Sequence, residues 1–178
     1  MISEFSLHAK PSNKKAMHIV TACFASALVC LGASMFVEKY RGLISLGVLI
    51  LITVALFFYT KYLAAEYIYD ITTDSDGKPL FIVRNRTGKR ETTLSRLDFS
   101  SIRRAERKSA EELKSYTPEA GVLRYYYCPS YRPDTAILIT VRSRYEKADI
   151  FIEAPDEFMN YINSAAAETA RLYPEEEN

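Results

Sequence analysis

The stretch "LISLGVLILITVALFFYT", residues 43–60, decides the fold because it holds twelve Leu, Ile, Val or Phe residues and no charged one. At a rise of about 1.5 Å per residue, its helix would be roughly 27 Å long, close to the ~30 Å hydrocarbon core of a bilayer. A helix of a soluble protein normally carries a polar face, whereas this stretch has none. It therefore predicts a helix that spans a membrane.

A second uncharged stretch, residues 19–37, precedes it and is separated from it only by "EKYRG", residues 38–42. This earlier span holds eight strongly apolar residues, each of which favours insertion by about 0.3–0.6 kcal/mol at the helix centre. The later span should therefore insert unaided, and the earlier one should depend on its neighbour. Together they predict a transmembrane helical hairpin over residues 19–60. A pair of helices buried in a soluble bundle is the alternative.

Small residues recur every four positions along the first span and form a candidate helix-packing stripe. The stripe consists of Ala22, Ser26, Cys30 and Ser34. Small side chains let two membrane helices approach closely. The stripe could face the second span or another copy of the protein, and chance in a helix rich in Ala and Ser is the third explanation.

Charged residues flank the two spans unevenly. Lys10, Lys14 and Lys15 precede the first span and Lys61 follows the second, whereas the turn carries Lys39 and Arg41 opposed by Glu38. Positive charges near membrane spans favour the cytoplasmic side. We therefore predict a multi-pass protein of the plasma (inner) membrane with both termini in the cytoplasm. The three scattered cysteines fit that reducing compartment.

The remaining chain divides into residues 1–18, predicted as a cytoplasmic N-terminal segment, and residues 61–178, predicted as a cytoplasmic domain with its own core. Short runs rich in Tyr, Ile, Val, Leu and Thr alternate there with turn residues. They predict seven strands, at Tyr67–Thr73, Leu80–Arg86, Lys89–Leu94, Ser100–Lys108, Val122–Cys128, Thr135–Arg142 and Ala148–Ile152. Apolar residues at helical spacing then predict a helix over Pro155–Leu172 that covers an open end of the sheet. The final "EEEN", residues 175–178, is expected to form a solvated tail.

A family resemblance lies in three segments: "YIYDITTD" (67–74), "PLFIVRNRTGKRETTLSRLDFSSIRRAER" (79–107) and "ADIFIEAPDEFMNYINSA" (148–165). They resemble the bacterial pleckstrin-homology-like (PH-like) domains that are tethered by an N-terminal transmembrane hairpin. The resemblance implies an α+β domain with a seven-stranded antiparallel bent sheet or barrel, capped by a C-terminal helix. It also implies a non-catalytic binding or scaffolding module. The insertion at 108–121 and the "YYY" strand at 125–127 depart from the family pattern.

Basic residues are concentrated between residues 84 and 108, with nine Lys or Arg against three Asp or Glu, whereas residues 146–178 hold nine acidic and two basic residues. The candidate residues for binding an anionic lipid or a protein partner are Lys78, Arg84, Arg86, Lys89, Arg90, Arg103, Arg104 and Arg107. A solvated strand surface, a surface for anionic headgroups and a site for an acidic protein partner all fit this pattern. Nucleic acid is disfavoured, because no segment resembles a recognition helix and the aromatic residues are not interleaved with the charges.

The domain offers little for catalysis, since its sequence has no histidine, no GxSxG, no P-loop and no HExxH. We therefore expect no enzyme activity and no cofactor or metal. The expected function is a membrane-anchored interaction or scaffold module that binds a protein partner in an envelope or transport complex, or forms a homo-oligomer. The alternative is a sensor of anionic lipid that uses a basic face. Tyr125–Tyr127 fit either strand packing or an aromatic contact surface.

Overall fold

The computed structural model describes residues 5–10, 13–143 and 147–172. These residues form two compact units. The helical unit covers residues 13–65, and the α+β unit combines residues 5–10 with the chain from residue 66 onward. The predicted acidic tail lies outside the described residues.

The helical unit contains two long apolar helices that pack against each other, α1 (Lys14–Ser34) and α2 (Arg41–Phe58). A short 3-10 turn, Glu38–Tyr40, precedes α2, and a π-helical turn, Tyr59–Leu63, follows it. Both helices are long and apolar enough to cross a membrane, and only 17% and 11% of their apolar windows are buried. Core helices of a soluble protein would be mostly buried, so the structure favours the membrane reading of the predicted spans.

The contact between the two helices uses other positions than the predicted stripe. The buried residues of α1 are Ala16, Val20 and Ala27, which follow the three- and four-residue steps of one helix face. Ala22 and Ser26 are exposed, while Cys30 and Ser34 are half-buried. A strict four-residue spacing turns through about 400°, so it drifts by about 40° around the helix at each step. The stripe therefore cannot stay on one face.

The first sheet of the α+β unit has the strand order β1 (Phe5–Ala9), β2 (Ala65–Thr73), β3 (Pro79–Thr87) and β4 (Arg90–Asp98). Strand β1 runs antiparallel to β2, with Phe5 opposite Ile71 and Ala9 opposite Tyr67. The sequence prediction treated this part of the chain as a separate N-terminal segment. It is instead a strand of the domain, so the helical hairpin is inserted between two neighbouring strands of one sheet.

The second sheet has the order β5-β7-β8-β6. Its strands are β5 (Ile102–Ser109), β6 (Leu123–Tyr126), β7 (Thr135–Arg142) and β8 (Lys147–Ile152). Strand β7 is antiparallel to both of its neighbours, β5 and β8, but β6 runs parallel to β8. The described residues thus contain eight strands in two sheets, where seven antiparallel strands were predicted. The added strand is β1, and β6 is parallel because the insertion before it, which includes helix α3 (Ala110–Ser115), carries the chain to the far edge of the sheet.

Helix α4 (Asp156–Leu172) contributes its apolar stripe to the main core and confirms the predicted C-terminal helix. Phe158, Ile162 and Ala165 lie on its inner face at steps of four and three residues and are almost completely buried. They share one core with residues of both sheets, such as Phe81 and Ile139. Burial of each large side chain stabilises the fold by about 1.5–3 kcal/mol.

Helix α4 also protects the edge of β5. The side-chain amide of Asn163 donates to the carbonyl oxygen of Ala105, and its oxygen accepts from the Ala105 N–H, both at 2.9 Å. An uncovered edge strand exposes such groups to pairing with another chain. Asn163 therefore takes the place of a neighbouring strand at this point.

We predict that Asn163→Asp lowers the free energy of unfolding by about 1–3 kcal/mol. The substitution keeps the shape of the side chain but removes the donor and sets a negative charge against the Ala105 carbonyl. Thermal melting of the detergent-solubilised chain measures the loss. The control is Asn160→Asp, the same change on the exposed side of α4. Equal melting of the two variants would contradict the role of Asn163.

Candidate functional site: an ion-pair ladder on the first sheet

The eight basic residues predicted as a binding face do not form one surface. Five belong to the first sheet and its turns, namely Lys78, Arg84, Arg86, Lys89 and Arg90. Arg103, Arg104 and Arg107 lie in β5 of the second sheet. The concentration of charge in the sequence is therefore divided between two sheets, and each group has its own partners.

Strand alternation places Arg84 and Arg86 on the outer face of the first sheet. In β3, Phe81 and Val83 belong to the core, and successive side chains of a strand point to opposite faces. The same alternation in β2 sends Tyr69 to the core and the residues on either side of it away from the core. Acidic residues of β2 thus meet basic residues of β3 on the outer face.

The outer face carries a row of alternating charges, here named the ion-pair ladder. It consists of Lys10, Glu66, Arg86, Glu91, Arg84 and Asp70. Lys10 Nζ lies 3.8 Å from Glu66, and the Arg86 guanidinium lies 3.9 Å from Glu66 and 3.6 Å from Glu91. The Arg84 guanidinium bridges Glu91 and Asp70, and its Nε donates to Asp70 Oδ2 at 2.6 Å. Three positive and three negative charges cancel within the ladder.

Asp70 is the buried end of the ladder. Its side chain is 10% exposed, compared with 36% for Arg84. One carboxylate oxygen accepts from the Ser6 hydroxyl of β1, and the other accepts from Arg84. The hydrogen bond to Asp70 raises the pKa of Arg84, so the guanidinium stays charged. The charge of Arg84 is therefore already matched inside the protein.

An open groove of about 510 Å³ lies beside this end of the ladder. Its lining mixes apolar and polar groups, including Phe5, Ile82, Thr93 and Arg96. Arg96 Nη2 contacts Asp74 at 3.1 Å. The groove is thus walled by β1 on one side and by paired charges on the other, without a cluster of unmatched positive charge.

Arg107 and Arg104 of β5 have partners within the domain. Arg107 donates to Asp156 at 2.6 Å, to the Thr135 hydroxyl at 3.0 Å and to the Ala154 carbonyl at 3.0 Å. These bonds tie β5 to β7 and to the start of α4. Arg104 contacts Glu106 at 2.8 Å, so its charge is also paired.

Lys89 and Arg90 differ from the other candidates. They are exposed at the turn between β3 and β4, where Gly88 has a φ of 61°. Among the described residues, neither has an ion pair with a carboxylate. A two-residue hairpin turn needs positive φ, which glycine adopts without strain. The turn therefore presents two cations to solvent at the tip of the hairpin.

The sequence prediction missed a buried ion pair on the outer side of the second sheet. Asp149 has a 1% exposed side chain and accepts from Arg142 Nη1 at 2.9 Å and from the Tyr116 hydroxyl. Arg124 lies 4.9 Å from the ring centroid of Phe151 and 5.6 Å from that of Tyr116. These contacts anchor the insertion to the sheet. The one sequence signal was the lone Asp within an apolar strand.

The three consecutive tyrosines pack as strand residues. The rings of Tyr125 and Tyr127 stack with centroids 5.8 Å apart and border the main core. Tyr126 points to the opposite face and lies 6.2 Å from Phe151. All three are half-buried, which agrees with the packing interpretation of this stretch.

No orphaned polar group marks a ligand site in the described part of the chain. Every buried side-chain nitrogen or oxygen there has a hydrogen-bond partner, and no three His, Cys, Asp or Glu residues there form a group that could hold a metal. Burial raises the pKa of the Cys128 thiol, which keeps it protonated. Comparison with protein-family models and with curated protein sequences gives no match. The geometry alone therefore guides the functional assignment.

We predict that Tyr116 makes the domain lose stability at high pH. Burial and the hydrogen bond to Asp149 raise the pKa of Tyr116 to about 12, above the ordinary value of about 10. Such a group stabilises the fold below pH ~10 and loses that contribution as pH rises toward ~12. The stability difference between the wild type and Tyr116→Phe, measured by chemical denaturation, should be constant up to pH 9 and shrink by pH 11. If the stability of the two proteins changes with pH in parallel over that range, the pKa of Tyr116 is not raised.

Proposed function

We propose that this chain is a membrane-anchored, non-catalytic interaction module whose α+β domain faces the cytoplasm and binds a protein partner in an envelope or transport complex. The observation that carries this proposal is the insertion of the apolar hairpin between β1 and β2. Such an arrangement ties one domain to both ends of a pair of apolar helices. It suits a protein that holds a binding surface at the membrane.

The pairing of β1 with β2 also supports the proposed topology. Four residues, 10–13, connect β1 to α1, and Ala64 alone connects the π-helical turn to β2. Two paired strands must lie on the same side of a bilayer, so an even number of crossings fits the connection. Lys14, Lys15 and Lys61 near these ends favour the cytoplasmic side.

The proposed PH-like relationship rests on the order of the elements. Successive strands in two sheets, followed by a C-terminal amphipathic helix that enters the core, are the features that the chain has in common with PH-like domains. Strand β1 and the parallel strand β6 are additions to that pattern. The resemblance supports a binding module, because PH-like domains serve as scaffolds for varied surfaces and not for one chemistry.

A protein partner is favoured over a lipid surface because most of the basic residues are already matched by carboxylates. Each unmatched Lys or Arg near an anionic leaflet contributes about 1 kcal/mol of attraction. Paired residues such as Arg84 and Arg86 contribute much less, since the ladder is neutral. Lys89 and Arg90 together would provide only weak attraction. They nevertheless keep lipid sensing as the second candidate function.

We predict that a cysteine at position 40, between the helices, reacts with a membrane-impermeant thiol reagent in intact cells. Tyr40→Cys is exposed in the turn, and Thr92→Cys is exposed in the domain. Tyr40→Cys should be labelled in intact cells, whereas Thr92→Cys should be labelled only after lysis. The unsubstituted chain, with its own three cysteines, gives the background. The reverse pattern would place the domain outside the cytoplasm.

A hairpin-free chain separates the two candidate functions. Because β1 and β2 are antiparallel neighbours, a short Gly–Ser linker can replace residues 14–63, and circular dichroism checks that the product is folded. We predict that this chain displaces the protein partner from complexes of the tagged full-length chain in gently solubilised membranes. We also predict that it does not sediment with phosphatidylglycerol vesicles at physiological salt.

Two pairs of variants give the test a clear alternative. Sedimentation of the hairpin-free chain with the vesicles would overturn the partner proposal in favour of lipid sensing if it depends on the hairpin tip. It would then be lost in the double variant Lys89→Gln with Arg90→Gln and kept in the double variant Arg84→Gln with Arg86→Gln. If no protein co-purifies with the solubilised full-length chain, there is nothing for the hairpin-free chain to displace. That result would also contradict the partner proposal.

A further inference from the structure

A buried hydrogen bond joins the two ends of the helical hairpin. The side-chain amide of Asn13, just before α1, donates to the backbone oxygen of Tyr62 at 2.7 Å. Tyr62 lies in the π-helical turn that ends the second helix. Both residues are at most 8% exposed. The bond therefore closes the open end of the hairpin away from solvent.

The geometry of Asn13 shows that its side chain serves the hairpin and not only its own helix. An Asn at this position commonly accepts a hydrogen bond from the first turn of the helix that it precedes. The Asn13 side chain makes no such capping bond. Its amide instead satisfies a carbonyl near the end of a helix, where backbone oxygens lack intrahelical partners. The bond thus links the start of one helix to the end of the other.

This link sets where the chains leading to β1 and β2 begin. Strand β1 ends at Ala9, with four residues between it and α1, and β2 begins at Ala65, directly after Ala64. Ala9 lies opposite Tyr67 in the sheet. Packing of α1 against α2 brings the hairpin ends near each other, and without the link these ends can separate, so that pairing of the two strands costs more chain entropy. With the link, only a few residues on either side have to be ordered.

Strand β1 is the element most sensitive to such a cost. It is a five-residue edge strand in which no residue is fully buried. Leu7 and Ala9 border the main core, and the ring of Phe5 lies 5.3 Å from that of Phe158. Short edge strands with few buried contacts open locally at low free energy. Central strands of the second sheet, such as β7, have most of their residues buried.

We propose that the Asn13–Tyr62 hydrogen bond is a clamp that holds β1 on β2, and that β1 is a strap released when the hairpin ends separate. Release removes Ser6 from Asp70 and Lys10 from Glu66. It therefore frees the edge of β2 and opens both ends of the ion-pair ladder, while the second sheet stays folded. Asn13 is a positioning residue in this device. The device is independent of the proposed function, since it acts whether or not a partner binds.

Hydrogen exchange of the full-length chain in lipid nanodiscs tests the clamp. Asn13→Asp keeps the shape of the side chain and removes its donor. The backbone amides of β1 and the β1-facing amides of β2 should then exchange roughly five- to tenfold faster, as the loss of one buried hydrogen bond implies. Exchange in β7 and β8 should not change. The control is Thr53→Ala, which removes a hydrogen bond of 2.8 Å to Leu49 within α2 and leaves the hairpin ends joined.

A disulfide between β1 and β2 provides the second measurement. His8 and Ile68 are opposite in register, and opposite strand residues have a separation that suits a disulfide. In His8→Cys with Ile68→Cys, the oxidised chain should lose the effect of Asn13→Asp on exchange in β1. Equal exchange in Asn13→Asp and in the Thr53→Ala control would overturn the proposal. Faster exchange in all strands together, or misfolding of both Asn13→Asp and Asn13→Ala, would overturn it too, because Asn13 would then support the whole fold and not the strap.

Discussion

The pairing of β1 with β2 is the constraint on which the rest of the structure depends. The strand Phe5–Ala9, which precedes the helical hairpin in the sequence, pairs with strand β2, which follows the hairpin. The first sheet of the domain therefore contains one strand from before the hairpin and three strands from after it. The sheet, its outer face and the groove beside Asp70 all include groups from the short N-terminal strand.

The number of basic residues in a sequence segment does not show how much positive charge the folded surface carries. The basic segment has few acidic residues of its own, but the sheet brings it partners from elsewhere. Arg84 reaches back 14 residues to Asp70, and Arg107 reaches forward 49 residues to Asp156. Exposed ion pairs of this kind contribute little to stability individually. Their main effect on the first sheet is to neutralise positive charge, whereas Lys89 and Arg90 at the β3–β4 turn have no ion pair with a carboxylate among the described residues.

Local patterns were enough to predict most elements, whereas pairing partners were not. Strand β7 has the predicted bounds Thr135–Arg142, and the helix begins one residue after its predicted start, because alternation and helical spacing are local properties. Strand β1 was missed, since "FSLHA" is too short to stand out and is stabilised by residues far along the chain. The basic residues of the candidate site were identified as residue types, but their neutralisation by Asp70, Glu91 and Asp156 depends on the tertiary fold. The buried pair of Arg142 and Asp149 was missed for the same reason.

Strand β1 also has a consequence for the order of events during synthesis. It is synthesised before the two apolar helices, whereas its partner β2 is synthesised after both of them. The first sheet therefore cannot be completed while the hairpin is still being translated, and β1 stays unpaired until β2 has been synthesised. Folding of the domain is thus timed to follow the formation of the hairpin. A chain whose hairpin failed to close would leave the edge of β2 without its neighbouring strand, and such an open edge can pair with another chain.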